Sequence, residues 1–122
     1  MTEHIALVEN FVAAWNRYDL DAVEGMVAPD IFYHNIPMQP YIGQSAFREF
    51  IRSFPAVSAK WVIHAIAASG NAVLTERTDQ FDLADGSIIS IRVIGTFEIG
   101  NGKIAKWRDY FDSAEVQPRQ PP

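Results

Sequence analysis

Ile5, Val8, Phe11, Val12 and Trp15 recur at helical spacing, and Glu3, Glu9, Asn10, Asn16 and Arg17 fill the opposite side. The pattern predicts one amphipathic helix of about four turns. Asp19 is placed to cap a second, short helix, with Val23, Met26 and Val27 turned inward and Pro29 ending it. Ile31–Asn35 reads as a short strand, and Pro37 and Pro40 break the segment after it. Beyond Gly43, the positions Phe47, Phe50, Ile51 and Phe54 mark one face of a third helix that Pro55 stops. Glu9, Glu24 and Glu49 read as solvated charges on helix faces.

The second half of the chain changes period. Four apolar, β-branched runs succeed one another: Lys60–Ala68, Ala72–Leu83, Ser87–Ile99 and Lys103–Asp112. Ser69-Gly70-Asn71, Ala84-Asp85-Gly86 and Gly100-Asn101-Gly102 separate them. Such connections supply residues that accept positive φ and so favour hairpins, which predicts an antiparallel meander. Helices first and a meander afterwards indicate an α+β fold. The expectation is a single catalytic domain over residues 1–116, cone-shaped, with three N-terminal helices packed on a strongly curved, mostly antiparallel sheet. The inner face of that cone is the natural pocket. The Pro- and Gln-rich residues 117–122 are expected to form a disordered tail.

Alternation along the strands then locates charge where apolar side chains belong. In the run from Thr75 to Phe81, the residues Arg77, Asp79 and Phe81 share one face. Ile89, Ile91, Val93 and Phe97 share a face of the next strand, and Ala105, Trp107, Asp109 and Phe111 share one of the last. These odd-numbered faces are apolar enough to be interior, yet they carry Arg77, Asp79 and Asp109. Buried charges are expensive unless paired. One Arg and two Asp sum to −1, and a shared proton brings the group to zero; burial and a neighbouring like charge both favour that proton. An ion-pair network across three strands would give the same pattern. Tyr33 and Asn35, two apart on the short strand, add polar groups that contribute little to a core and, with Asp109, could hold one water.

The remaining features mainly exclude. Net charge is −5 with no cysteine among 122 residues. That argues against nucleic acid and an anionic membrane surface, and it rules out a disulfide scaffold or thiolate metal site. No apolar run approaches the ~20 residues of a membrane helix, and Met1–Asn10 has neither a basic nor an apolar leader segment. A soluble, cytoplasmic protein is expected. His4, His34 and His64 lack metal-ligand spacing, so no metal is expected. His64 reads as a surface or dimer contact, and would face the pocket only with a two-residue turn at Gly70-Asn71. Trp15, Trp61 and Trp107 read as core or pocket wall, with Trp107 able to donate its indole N–H to a polar neighbour.

Three segments carry a resemblance: Phe32-Tyr33-His34-Asn35-Ile36-Pro37-Met38, Leu74-Thr75-Glu76-Arg77-Thr78-Asp79 and Lys106-Trp107-Arg108-Asp109-Tyr110-Phe111-Asp112. Tyr-x-Asn, Arg-x-Asp and Trp-x-Asp in this order resemble the limonene-1,2-epoxide hydrolase family, within the cone-shaped domains similar to nuclear transport factor 2. The resemblance runs over nearly the whole chain. It implies a cofactor-free epoxide hydrolase that adds water to an apolar epoxide in one step to give a vicinal diol. Asp109 would be the base and Asp79 the acid; Arg77 would bridge them, and Tyr33 and Asn35 would position the water. Strand parity and helix facing nominate Val12, Trp15, Phe81, Ile91, Val93 and Phe111, together with Trp107, as the substrate-binding wall. Ketosteroid-type isomerases and ligand-binding domains of the same architecture are the alternatives; an isomerase gives no use to the Arg beside Asp79, and a binding domain none to the polar convergence. The even-numbered sheet face keeps Ile88 and Ile94 among polar residues, which suits a homodimer contact.

Overall fold

A computed structural model describes residues 2–121. Three helices come first: α1 (Thr2–Asn16), α2 (Leu20–Gly25) and, after two strands, α3 (Gln44–Ser53). The strands are β1 (Val27–Ile36), β2 (Tyr41–Ile42), β3 (Ala56–Ser69), β4 (Ala72–Leu83), β5 (Ile88–Gly100) and β6 (Lys103–Tyr110). They form one sheet in the order β2-β1-β6-β5-β4-β3. Only β1 and β6 run parallel; every other pair is antiparallel. Register shifts in β1/β6, β3/β4 and β5/β6 bend the sheet, and β2 and β3 remain its two edges. The result is the expected α+β arrangement, three helices on a curved, unclosed sheet.

The helix faces follow the sequence pattern. Val8, Phe11, Val12 and Trp15 of α1 are buried, as are Phe47 and Ile51 of α3. Trp107 of β6 stands at the centre of the core, fully enclosed. Phe11 meets it edge-on with ring centroids 5.1 Å apart, Phe97 stacks at 5.5 Å and Tyr33 at 4.4 Å. The side chain of Asn16 caps the β3 edge at Trp61. It donates to the Trp61 carbonyl at 3.0 Å and accepts from the Trp61 N–H at 2.6 Å, so the end of α1 substitutes for a missing strand.

Several boundaries differ from the sequence reading. α2 stops at Gly25, and Val27 opens β1 instead of closing a helix. Pro29 therefore lies within a strand; it falls in the stretch where the β1/β6 register shifts, where a missing N–H interrupts no regular ladder. β3 starts at Ala56, well before Lys60. Glu24 is not a solvated charge. It accepts from Arg48 at 2.7 Å and Arg52 at 2.9 Å, and so ties α2 to α3. Beyond β6 a short 3-10 turn, Ser113–Val116, is held to β5 by Glu115, which accepts from the Arg92 guanidinium at 2.6 Å and backbone at 2.8 Å. Where composition suggests a disordered tail, Arg119 exchanges backbone hydrogen bonds of 2.7 and 2.8 Å with Ile88. Residue 122 lies outside the described residues.

Candidate active site

Neighbouring strands bring the charged residues together. Thr75 pairs with Gly95 across β4 and β5, and Gly95 pairs with Asp109 across β5 and β6. Thr75, Arg77, Asp79, Gly95 and Asp109 therefore all face one side. Gly95 leaves the space above β5 empty, and the Arg77 guanidinium fills it: a Cβ at Gly95 would overlap Arg77 Nη1 and Asp109 Oδ1.

Hydrogen bonds tie the cluster together on every side. Arg77 Nε and Nη2 donate to Asp79 Oδ1 and Oδ2 at 3.0 and 2.8 Å. The same Nη2 donates to Asp109 Oδ2 at 2.9 Å, and Nη1 donates to Thr75 Oγ1 at 2.8 Å. The Thr75 hydroxyl in turn donates to the Gly95 carbonyl at 3.3 Å. Trp107 Nε1 donates to Asp109 Oδ1 at 2.7 Å, which identifies the polar neighbour of that indole as Asp109. The guanidinium carbon lies 5.1 Å from the Trp61 ring centroid and 5.7 Å from that of Phe97, a setting that favours a cation.

Burial sets the electrostatics. Arg77, Asp79 and Asp109 are 1%, 3% and 4% exposed. Loss of solvation raises both carboxyl groups above the ordinary range, Asp79 to about 6, while the Arg77 charge and its hydrogen bonds pull both back down. Burial also works against the charge on Arg77, but the two aspartates more than offset it and the guanidinium stays protonated. Burial, then the Asp109 charge, raise the Tyr33 phenol well above its usual value, so its hydroxyl remains a donor. Two carboxyls sharing one guanidinium titrate as a pair. In the state with one shared proton, the pair holds an acid and a base at once.

These groups open onto a cavity of about 180 Å³. Asp79, Asp109, Tyr33 and Asn35 line it, and Asn35 sits beside Asp109 in the β1/β6 register. Arg77 is behind the two aspartates and does not reach it. Of the predicted wall, Trp15, Phe81, Ile91, Val93 and Phe111 line the cavity. Val12 and Trp107 do not: Val12 is enclosed in the core, and the Tyr33 ring stacked on Trp107 separates that indole from the cavity. Sequence parity did not reach Met38, Tyr41 and Val116, which lie in the loop before the tiny β2, on β2 itself and in the terminal turn. Phe50, Ile51 and Phe54 belong to the recognised apolar face of α3, but which of that face borders the cavity depends on how the helix sits. Trp61 lies directly across from Asp79 because the β3/β4 register shifts between Ile63 and Ala65; the turn at Gly70-Asn71 alone would set it opposite Gln80. His34 and His64 stand apart from the cluster: His34 bonds the Met38 carbonyl at 2.7 Å, and His64 bonds Thr78 Oγ1 at 2.8 Å on the outer face. Among the described residues, no group of three or more His, Cys, Asp or Glu is placed to hold a metal ion, and no helix is long and apolar enough to cross a membrane.

A family model for the limonene-1,2-epoxide hydrolase catalytic domain matches residues 2–119. The epoxide hydrolase EphG of Mycobacterium tuberculosis is 38% identical over 107 residues, which cover 86% of this chain and 70% of that protein. The solved structure of an M. tuberculosis LEH-like epoxide hydrolase superposes with a TM-score of 0.84 at 35% identity, over 94% of this chain and 86% of that one. An NTF2-like protein of unknown function from Burkholderia pseudomallei has a TM-score of 0.83 at 21% identity, over 94% of this chain and 95% of its own, and shares the fold alone.

Proposed function

The chain belongs to the limonene-1,2-epoxide hydrolase family and is an epoxide hydrolase; on that premise we propose that it opens an apolar epoxide with water in one step, without a covalent intermediate. The observation that carries this reading is the division of polar groups around the cavity. Asp109 lies beside Tyr33 and Asn35, and Asp79 lies across Arg77 from it.

Water seated against Tyr33, Asn35 and Asp109 gives its proton to Asp109 as its oxygen attacks an epoxide carbon. The carbon–oxygen bond on that carbon breaks, and Asp79 gives its proton to the departing oxygen. A vicinal diol results, and the pair still holds one proton, now on Asp109. Acid and base acting together assist both a poor nucleophile and a poor leaving group. The aromatic and aliphatic wall supports an apolar substrate. Such a wall discriminates weakly, because one methylene is worth only ~1–3 kcal/mol.

An ester on Asp109 is the alternative path. It would require a further base to hydrolyse the ester, whereas His34 and His64 are committed elsewhere. A single turnover in H₂¹⁸O, with enzyme in excess over a terpene or cycloalkene epoxide, separates the paths. Direct attack places ¹⁸O in the first diol and leaves the protein unlabelled. Label on Asp109, with ¹⁶O in the diol, would overturn the one-step mechanism. We also propose that the protein forms a homodimer through the outer face of its sheet.

A further inference from the structure

We infer that Thr75 is a positioning residue for the hydrolysis, its hydroxyl fixing the Arg77 guanidinium so that a single nitrogen engages both aspartates. The inference rests on the reading that Arg77, Asp79 and Asp109 carry the reaction.

The geometry narrows the role of this hydroxyl. Asp79 grips the Nε–Nη2 edge of the guanidinium with both oxygens, and that grip alone lets the plane tilt about the edge. A tilt leaves Nη2 on the axis but swings its second N–H, the one given to Asp109 Oδ2, out of line. Thr75 Oγ1 takes the free corner, Nη1, at 2.8 Å and supplies the point of attachment that stops the tilt. The hydroxyl is itself oriented, because it donates to the Gly95 carbonyl at 3.3 Å and so presents lone pairs, not its proton, to Arg77. A β-branched side chain on a strand is stiff at χ1, which keeps the oxygen in place. Thr75 is 2% exposed and does not border the cavity. It acts through Arg77, not on substrate.

The consequence is electrostatic as well as geometric. Arg77 holds both carboxyl groups below the level that burial would impose. A guanidinium that tilts loses part of that grip on Asp109, and the pair then binds protons more tightly. Weakened positioning should therefore lower turnover and shift the acid limb of the rate profile to higher pH, while the cavity wall, and with it substrate binding, is unchanged.

Thr75→Val keeps the shape and removes the oxygen; Thr75→Ser keeps the oxygen and removes the methyl. For Thr75→Val we expect kcat to fall about 10- to 100-fold, the range a small misplacement can cause, with KM within about twofold of wild type and the acid midpoint moved up. Thr75→Ser should restore kcat to within about threefold and return the midpoint. Thr75→Ala serves if the valine variant does not fold: it lacks the methyl as serine does, so a wide gap between Ala and Ser in kcat isolates the oxygen. Equal loss in Ser, Ala and Val, or a valine variant with wild-type turnover and pH profile, overturns the inference. Asp79→Asn and Asp109→Asn are run alongside. If they retain turnover, the underlying assignment of the site is at fault; if they abolish it and Thr75→Val does not, only the role of Thr75 falls.

Discussion

Asp79 and Asp109 are the same residue in different company. Asp79 takes both its hydrogen bonds from Arg77, whereas Asp109 takes one from Arg77 and one from the Trp107 indole. Catalysis on the proposed path needs one proton on the pair, on Asp79, and none on Asp109. Burial raises both carboxyl groups, Asp79 to about 6, and because they share Arg77 their protons leave in two steps that belong to the pair. As pH falls through the lower step of the pair, the base is protonated and lost, so kcat/KM should decline on the acid side; as pH rises through the upper step it should decline again as the acid ionises. Asp79→Asn removes the acid and should cost about 10²- to 10⁴-fold in kcat/KM, with the alkaline limb gone from what activity is left. A steady-state pH series on both proteins checks this, and an asparagine variant with near-wild-type turnover would take Asp79 out of the chemistry. Strand parity was enough to group Arg77, Asp79 and Asp109, because charged residues on apolar faces stand out. It was not enough for Thr75, which has the same parity but looks like any β-branched strand residue, nor for Gly95, whose contribution is a side chain that is not there.

At the level of elements, the site exists because three adjacent strands keep their register over it. Thr75, Gly95 and Asp109 align across β4, β5 and β6, and Gly95 is the only one of the three that must be empty. Gly95→Ala should push the Arg77 guanidinium off Asp109, lowering kcat/KM by about 100-fold or more and stability by about 1–3 kcal/mol, as overpacking does. Urea titration and initial rates test the two effects separately; an alanine variant with full activity would mean the cluster tolerates displacement. The long elements were legible from their periods. α1, the α3 face and the β4–β5–β6 meander all derive from spacing and turn residues. The misses are short or interrupted: β2 has two residues, too few for any period, and β1 runs through Pro29, which locally reads as a stop. α2 shows the same limit from the other side, since Val27 continues a helical spacing and yet is claimed by pairing with Ile104.

For the whole molecule, the sheet has a used face and a free one. The inner face carries the cavity and the core. The outer face exposes Val62 on β3, Leu74 on β4, Ile94 on β5 and Tyr110 on β6, at 44%, 42%, 48% and 44%. Ile94 sits directly beside Tyr110 in the β5/β6 register, so these two adjoin across strands, whereas Val62 lies opposite Thr78 and Leu74 opposite Thr96. Contiguous exposed apolar surface on a small domain marks an interface more often than an accident. The sequence reading assigned Ile88 and Ile94 to this face, and only Ile94 is free: the chain at Arg119 covers Ile88. A two-fold pairing through the outer face would bury Ile94 against its counterpart and leave both cavities open on the far side of each sheet. Ile94→Lys sets like charges against one another at that contact. We expect the wild type to sediment as a dimer and the lysine variant as a monomer. Hydrolysis per chain should be nearly unchanged, since Ile94 points away from Arg77, Asp79 and Asp109. A wild-type protein that sediments as a monomer at micromolar concentration, or a lysine variant that remains dimeric, would remove the outer face as the interface.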